Sequence, residues 1–317
     1  MKRFKNILVV AGDDPGFPSL LARAVDLAGR NDGRVTLFGH VDSERARRSI
    51  VMRDGESYDV GSLLLDARRE ELNETAARVA RTVNGAAVPV EVVVSAGRDF
   101  VEVIRTVASR NHDLVMVGSA PASRFPVLAG SSLAMHLLRK CPVPVWVSSE
   151  SESASPDVAV AVGPFDEGIH ADSLDVTLLE IAASLAARRG GTLHVVHAWR
   201  LPGESLLRRG RVRPPAAQID ALVAEERQIA KMGMKRLLGF TPDLDITIEQ
   251  HLERGEPATV IQRVLEAQQP GVLVMGTLAR AGLNGVFIGN TAERVLGTID
   301  ASVLAVKPKG FETPVAV

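Results

Sequence analysis

The chain has 317 residues, 46% of them apolar and 24% charged, with a formal net charge of −1. That length suits about two domains of ~150 residues, each large enough to bury a normal core. The two halves carry 20 basic against 18 acidic and 17 basic against 20 acidic residues, and only 4% of the chain is aromatic, so neither a basic nucleic-acid face nor a stacking platform for single strands is supplied.

Residues 5–11 form a continuous apolar run, as in a strand buried on both faces. The run ends at Gly12-Asp13-Asp14 without a cleavage-type site, so it reads as a first strand and not as a signal peptide. A helix is expected over 19–30, with Ser19 as N-cap and Leu21, Ala24, Val25 and Ala28 on one face. Strand two follows at 34–41. A long helix at 62–83 has Leu65, Leu72, Ala76, Val79 and Val83 as its buried stripe. Strand 89–94, helix 99–110, strand 113–118, helix 131–139 and strand 143–148 complete the half. Cys141, the single cysteine, rules out an intramolecular disulfide and a Cys-rich zinc site, and a reducing cytosol is the expected compartment.

A Ser-rich stretch from Ser148 to Pro156 reads as a linker. Beyond it the order repeats. Strands are expected near 157–162, 192–199, 245–251, 271–275 and 302–307, and helices near 173–189, 216–238, 256–267 and 290–299. Domains are therefore expected at 1–149 and 157–309. No run approaches the ~18 apolar residues needed to cross a bilayer, so no membrane contact is expected.

The halves match in detail. Ile7 to Gly12 matches Val158 to Gly163, and Thr36 to Val41 matches Leu193 to Ala198, pairing His40 with His197. Gly97 and Gly255, and Gly118 and Gly276, are each 158 residues apart, and Gly130 and Gly289 are 159 apart. Five strands separated by helices imply two doubly wound, five-stranded parallel sheets, α/β and Rossmann-like, with ligands at the carboxyl ends of the strands near the switch point. The dinucleotide GxGxxG, the Walker A loop, the GxSxG elbow and HExxH are all absent.

The segment GVLVMGTLARAGLNGVFIGNTAERVLGTIDASVLAVKP resembles the closing segment of the universal stress protein family. That family carries Gly, two residues, Gly, nine residues, Gly, then Ser or Thr. The likeness extends over both halves, and His136 to Pro142 and His251 to Glu256 are similar to tandem, E-type members. It implies an adenine-nucleotide-hydrolase-like fold and ATP or ADP as ligand. In the second half the implied site residues are Ala198, for a backbone contact to adenine, with Gly276, Thr277, Ala279, Gly289, Asn290 and Thr291 at the phosphates. Glycines let backbone N–H groups approach an anion closely.

The fit departs at three places. Ala279 stands for the second glycine, Asn290 for Ser or Thr, and Gly163-Pro164-Phe165 for the family's Asp after strand one, leaving Asp166 as the nearest carboxylate. In the first half the counterparts are Asp13, Val41, Gly118, Gly130, Ser131 and Ser132, but Pro121 replaces the second glycine and the loop is one residue shorter. That phosphate loop reads as degenerate. The bland reading of both loops is a strand-to-helix connector.

No metal-ligand motif is present. His194 and His197 are three apart and so face opposite sides of a strand. Arg200, Arg208, Arg209, Arg211 and Arg213 form a basic segment opposed only by Glu204, read as a solvated loop or as an attractor of anions. The family likeness also implies that last strands 143–148 and 302–307 pair as an intramolecular pseudo-dimer, with association of two chains into a homodimer beyond that.

Two functions fit. One is a cytosolic stress-response sensor or regulator binding ATP or ADP in its second domain; no base, nucleophile or metal set stands out, so hydrolysis is expected to be weak at most. The other is a nucleotide-independent interaction protein whose clefts are empty or take an apolar small molecule.

Overall fold

A computed structural model gives the fold and describes residues 3–13, 15–42, 49–51, 57–82, 88–118, 133–149, 155–165, 169–211, 214–277, 289–297 and 301–316. These fall into two compact units, the first holding residues up to 149 with the tail 310–316, the second holding 155–277 with 289–309.

In the first unit the elements are β1 (Asn6–Val10), α1 (Phe17–Arg30), β2 (Arg34–Asp42), β3 (Ser49–Val51), β4 (Ser57–Asp59), α2 (Val60–Thr82), β5 (Val90–Gly97), α3 (Asp99–Arg110), β6 (Leu114–Gly118), α4 (Leu133–Lys140) and β7 (Val145–Ser148). Five strands pair in parallel in the order β7-β6-β1-β2-β5. The central β1 is buried along its whole length. β3 and β4 form a small antiparallel hairpin absent from the sequence reading.

Helix α1 starts two residues before its expected boundary. Its N-cap is Gly16, not Ser19. Pro18 sits in the first turn, where its missing N–H removes no helical bond. The expected face holds: Leu21, Ala24, Val25 and Ala28 are buried. In α2, Leu72 and Val79 are buried while Leu65 and Ala76 are only half-buried; Val83 lies outside the described residues. Cys141 is buried at the end of α4.

The second unit contains β8 (Val158–Ala161), α5 (Leu174–Arg189), β9 (Leu193–Trp199), α6 (Glu204–Arg209), α7 (Ala216–Leu238), β10 (Ile248–Arg254), α8 (Pro257–Gln268), β11 (Val272–Gly276), α9 (Asn290–Leu296) and β12 (Ser302–Val306). Its parallel order is β12-β11-β8-β9-β10. α5 is capped by Ser173, whose hydroxyl accepts the Val176 N–H. β10 lies three residues beyond its expected start and α6 was not expected.

In each unit the chain builds outward from its first strand on one side, then crosses back to the other side with its fourth. The switch points therefore lie between β1 and β6 and between β8 and β11, which is where a doubly wound sheet opens a crevice at its carboxyl edge.

The strand registers also correct the internal alignment. Ile7 pairs with Val35 and Val158 with Leu193, so Val35 corresponds to Leu193. His40 is then level with Ala198, Gly39 with His197, and Val41 with Trp199. The sequence match had slipped by one because the apolar pattern of strand two is continuous and carries no internal marker.

Candidate functional site

The carboxyl edge of the second sheet is built first by the turn after β8. Gly163 has φ +94°, and a Cβ there would lie 2.4 Å from His197 Nδ1. Only glycine fits both the left-handed backbone and that contact. The Gly163 N–H donates to Asp175 Oδ1 at 3.0 Å, and Asp175 is buried in the first turn of α5. Among the described residues Asp175 is thus the carboxylate at the end of β8, a place the sequence reading gave to Asp166, which lies outside them.

His197 bonds the Val162 carbonyl through Nδ1 at 3.0 Å. Phe165 lies on its other side, with ring centroids 4.2 Å apart. The Phe165 ring also fills the space beside Gly233 of α7, where a Cβ would come within 2.3 Å. The β8–β9 end of the crevice is consequently packed with an aromatic pair.

Ala198 sits beside this pair, half-buried. The Val196 carbonyl accepts from Val162 N–H, and alternation along a parallel ladder puts the backbone groups of Ala198 on the same side. The next rung would need an N–H from residue 164, which is proline and has none. The end of β8 thus leaves the Ala198 carbonyl facing the crevice.

On the other side of the switch point, Gly276 ends β11 and Thr277 follows, 1% exposed. The Thr277 N–H donates to Val306 O at 3.2 Å, and its carbonyl accepts the Gly289 N–H at 2.9 Å. This closes the long connection, bringing Gly276, Thr277, Gly289, Asn290 and Thr291 to one place. Gly289 is the N-cap of α9 and Asn290 its first residue. The Thr277 hydroxyl is buried and has no hydrogen-bond partner among the described residues. Ala279 lies outside the described residues.

In the first unit, Asp13, Val41 and Gly118 stand at the carboxyl ends of β1, β2 and β6. Asp13 is exposed, and its carboxylate pairs with Arg68 of α2 at 3.1 Å. Val41 is buried. His40 bonds the Gly97 carbonyl at 2.8 Å, tying β2 to the end of β5. Gly130, Ser131 and Ser132 lie outside the described residues.

The basic segment is less free than its sequence suggests. Arg208 pairs with Glu204 at 2.8 Å and Asp220 at 2.7 Å, and Arg254 reaches Glu204 at 2.6 Å. The hydrogen bonds from Arg254 and then Arg208 hold the Glu204 carboxyl below the usual carboxylate range. Asp220 had not been counted because it lies a helix away in sequence. Arg213 lies outside the described residues.

Two parallel sheets with this strand order, each with glycines at its switch point, match a known pattern at the level of family and of structure. The Universal stress protein family model matches residues 3–149 and 168–307. The chain belongs to the universal stress protein family. This tandem, E-type universal stress protein is 28% identical to Universal stress protein E of Escherichia coli strain K12, over 99% of its own length and 98% of that protein. It is 26% identical to the Universal stress protein E homolog of Haemophilus influenzae, over 96% and 98%. A putative universal stress protein from Pseudomonas aeruginosa UCBPP-PA14 superimposes with a TM-score of 0.65 at 22% identity, covering 98% of this chain and 95% of that one. One from Archaeoglobus fulgidus gives 0.60 at 21%, over 96% and 98%. Among the described residues no helix of this universal stress protein is long and apolar enough to cross a membrane.

Asp175 and Phe165 were not singled out as parts of the cleft from the sequence. Asp175 carries no local signal, since its role depends on where α5 begins over the end of β8.

Proposed function

We propose that this tandem universal stress protein binds an adenine nucleotide, ATP or ADP, at the carboxyl edge of its second sheet and acts as a stress-response sensor or regulator. The observation that carries this reading is the Thr277 hydroxyl, 1% exposed and unpaired among the described residues where the two glycine ends of the connection meet. A buried hydroxyl left unpaired costs about 1–3 kcal/mol, so a place for an acceptor is the physical reason to keep it. A phosphate oxygen is such an acceptor. The Ala198 carbonyl, with no rung beyond it, supplies the complementary contact for an adenine amine. Cytosolic residence and association of two chains are parts of the same proposal, the second tested by light scattering against the 33.8 kDa chain mass.

The packed pair of Phe165 and His197 favours a second reading. A crevice with an apolar ring at one end suits a nucleotide-independent interaction protein, its cleft closed or holding an apolar molecule.

The deciding experiment is to denature freshly purified protein and identify released small molecules by mass spectrometry, then to measure Tm with added ATP and ADP. Nucleotide near one per chain, with a rise in Tm that Gly289→Val removes, is the expected result. No nucleotide and no rise overturn the reading in favour of the second.

A further inference from the structure

At the opposite, amino end of the second sheet, β9 and β10 place three donor groups on one face. Glu249 pairs in register with His194, and His251 pairs with Val196. Residues opposite one another in a parallel pair share a face, as do residues two apart on a strand. His194, Glu249 and His251 therefore project together, on the side away from His197.

Their ligand atoms are close. His194 Nδ1 lies 3.1 Å from His251 Nε2 and 3.4 Å from Glu249 Oε2, and all three atoms lie within 4.8 Å of one another. A tetrahedral zinc with bonds of about 2.0–2.2 Å spaces its ligand atoms roughly 3.3 Å apart. Two of the three edges already have that length. The third closes by rotation of the exposed Glu249 side chain.

The far side of His194 supplies an independent observation. Its ring is 3% exposed, and its Nε2 has no hydrogen bond among the described residues. The facing group is Asp157 Oδ2, 3.8 Å away. Asp157 is itself fixed, its Oδ1 accepting the Thr192 N–H at 2.7 Å. A carboxylate behind a histidine keeps the proton on the rear nitrogen and leaves the front lone pair for a metal. At 3.8 Å Asp157 Oδ2 stands just beyond hydrogen-bond distance, so a small shift of its side chain would complete that bond and leave Nδ1, which faces His251 and Glu249, for the metal.

We propose that His194, Glu249 and His251 form a binding site for a divalent transition metal of the zinc class, with Asp157 as the positioning carboxylate behind His194. Two imidazoles and one carboxylate suit zinc and exclude magnesium, which prefers oxygen donors. The set leaves a fourth position for water. Among the described residues β10 pairs with β9 alone and is the edge strand of the second unit, and Glu249 on it is exposed, so solvent and ion reach the site from the open side. A bound ion would clamp that edge to β9. The site is remote from the nucleotide crevice and does not depend on it.

The test uses tag-free, full-length protein stripped with chelator, then dialysed against Zn²⁺ and analysed for metal, with Mg²⁺ as control. Retention of about one zinc per chain, a rise in Tm with Zn²⁺ but not Mg²⁺, and a tetrahedral visible spectrum with Co²⁺ are expected. Glu249→Gln and His251→Gln should each weaken zinc binding roughly 10–100-fold or more, and Asp157→Asn roughly 10–100-fold. The metal-free Tm of each variant is measured alongside, so that lost binding is separated from lost fold. No zinc retained by the wild type overturns the proposal. So does zinc retained equally by His251→Gln and Glu249→Gln, which would place it on other surface histidines.

Discussion

The N–H of Gly163 donates to the buried carboxylate of Asp175, 3.0 Å away and 12 residues along the chain. This bond fastens the turn after the first strand of the second unit to the start of the following helix. Among the described residues it makes Asp175 the carboxylate at the carboxyl end of β8. Asp175→Ala removes the acceptor and leaves a half-buried N–H unpaired, so a loss of about 1 kcal/mol is expected. Asp175→Asn keeps an acceptor oxygen and should lose less. Urea unfolding of the three proteins checks this, and an alanine variant as stable as the wild type would show that the bond adds nothing.

Thr277→Val tests the nucleotide reading from the ligand's side. The substitution keeps the shape of the side chain and removes a buried hydroxyl that has no partner among the described residues. Without ligand, the variant should be more stable than the wild type, by about 1–3 kcal/mol at most. With ATP, it should lose most of the Tm rise seen in the wild type. Both effects are read from the same pair of melting curves. Equal ATP shifts in the two proteins would remove Thr277 from the site.

How much of this was legible in the sequence follows from the physics of each feature. The parallel architecture was visible because strands buried on both faces read as apolar runs between amphipathic helices. The motif residues around Gly276 and Gly289 were visible because they are close in sequence and their spacing is particular. Pairings across the fold were not. β10 begins at Ile248 and not three residues earlier because its register against β9 is set by tertiary pairing. The neighbourhood of His194, Glu249 and His251 depends on the same register, so the sequence offered only His194 and His197, which point to opposite faces. Asp175 was invisible for a similar reason: a carboxylate in the first turn of a helix is common, and only the approach of β8 gives this one its role.

The first unit should weaken in mild acid. His112 is buried, with Nε2 2.9 Å from Thr36 Oγ1. Burial is the main cause holding its pKa below the ordinary histidine value; the Thr106 carbonyl and Asp113 oppose this, while Arg110 and Arg34 reinforce it. A histidine with a depressed folded pKa is more easily protonated when unfolded. Its contribution is therefore complete above the unfolded value of about 6.5 and is lost as pH falls from there toward the folded value. His136, stacked on Phe100 at 4.3 Å, is shifted the same way, again chiefly by burial. Melting curves at pH 7.5 and 5.5 should show a lower Tm at the lower pH, and His112→Gln should reduce that difference. An unchanged difference would assign the acid sensitivity elsewhere.

Phe165 decides between the two readings of the crevice. Its ring is 8% exposed, lies 4.2 Å from the His197 ring and fills the space over Gly233. Phe165→Ala removes that ring from a packed site and should cost roughly 3–5 kcal/mol, while Phe165→Leu refills most of the volume and should cost less than about 1.5 kcal/mol. In the nucleotide reading the ring is a wall. It holds His197 and the Gly163 turn in place beside the Ala198 carbonyl, so its loss should reduce the ATP-dependent rise in Tm, more for alanine than for leucine. The opposite result, a larger rise in the alanine variant, would mean that the ring occupies the place of the base. The wild-type crevice would then be closed to nucleotide at that end, as the interaction-protein reading requires.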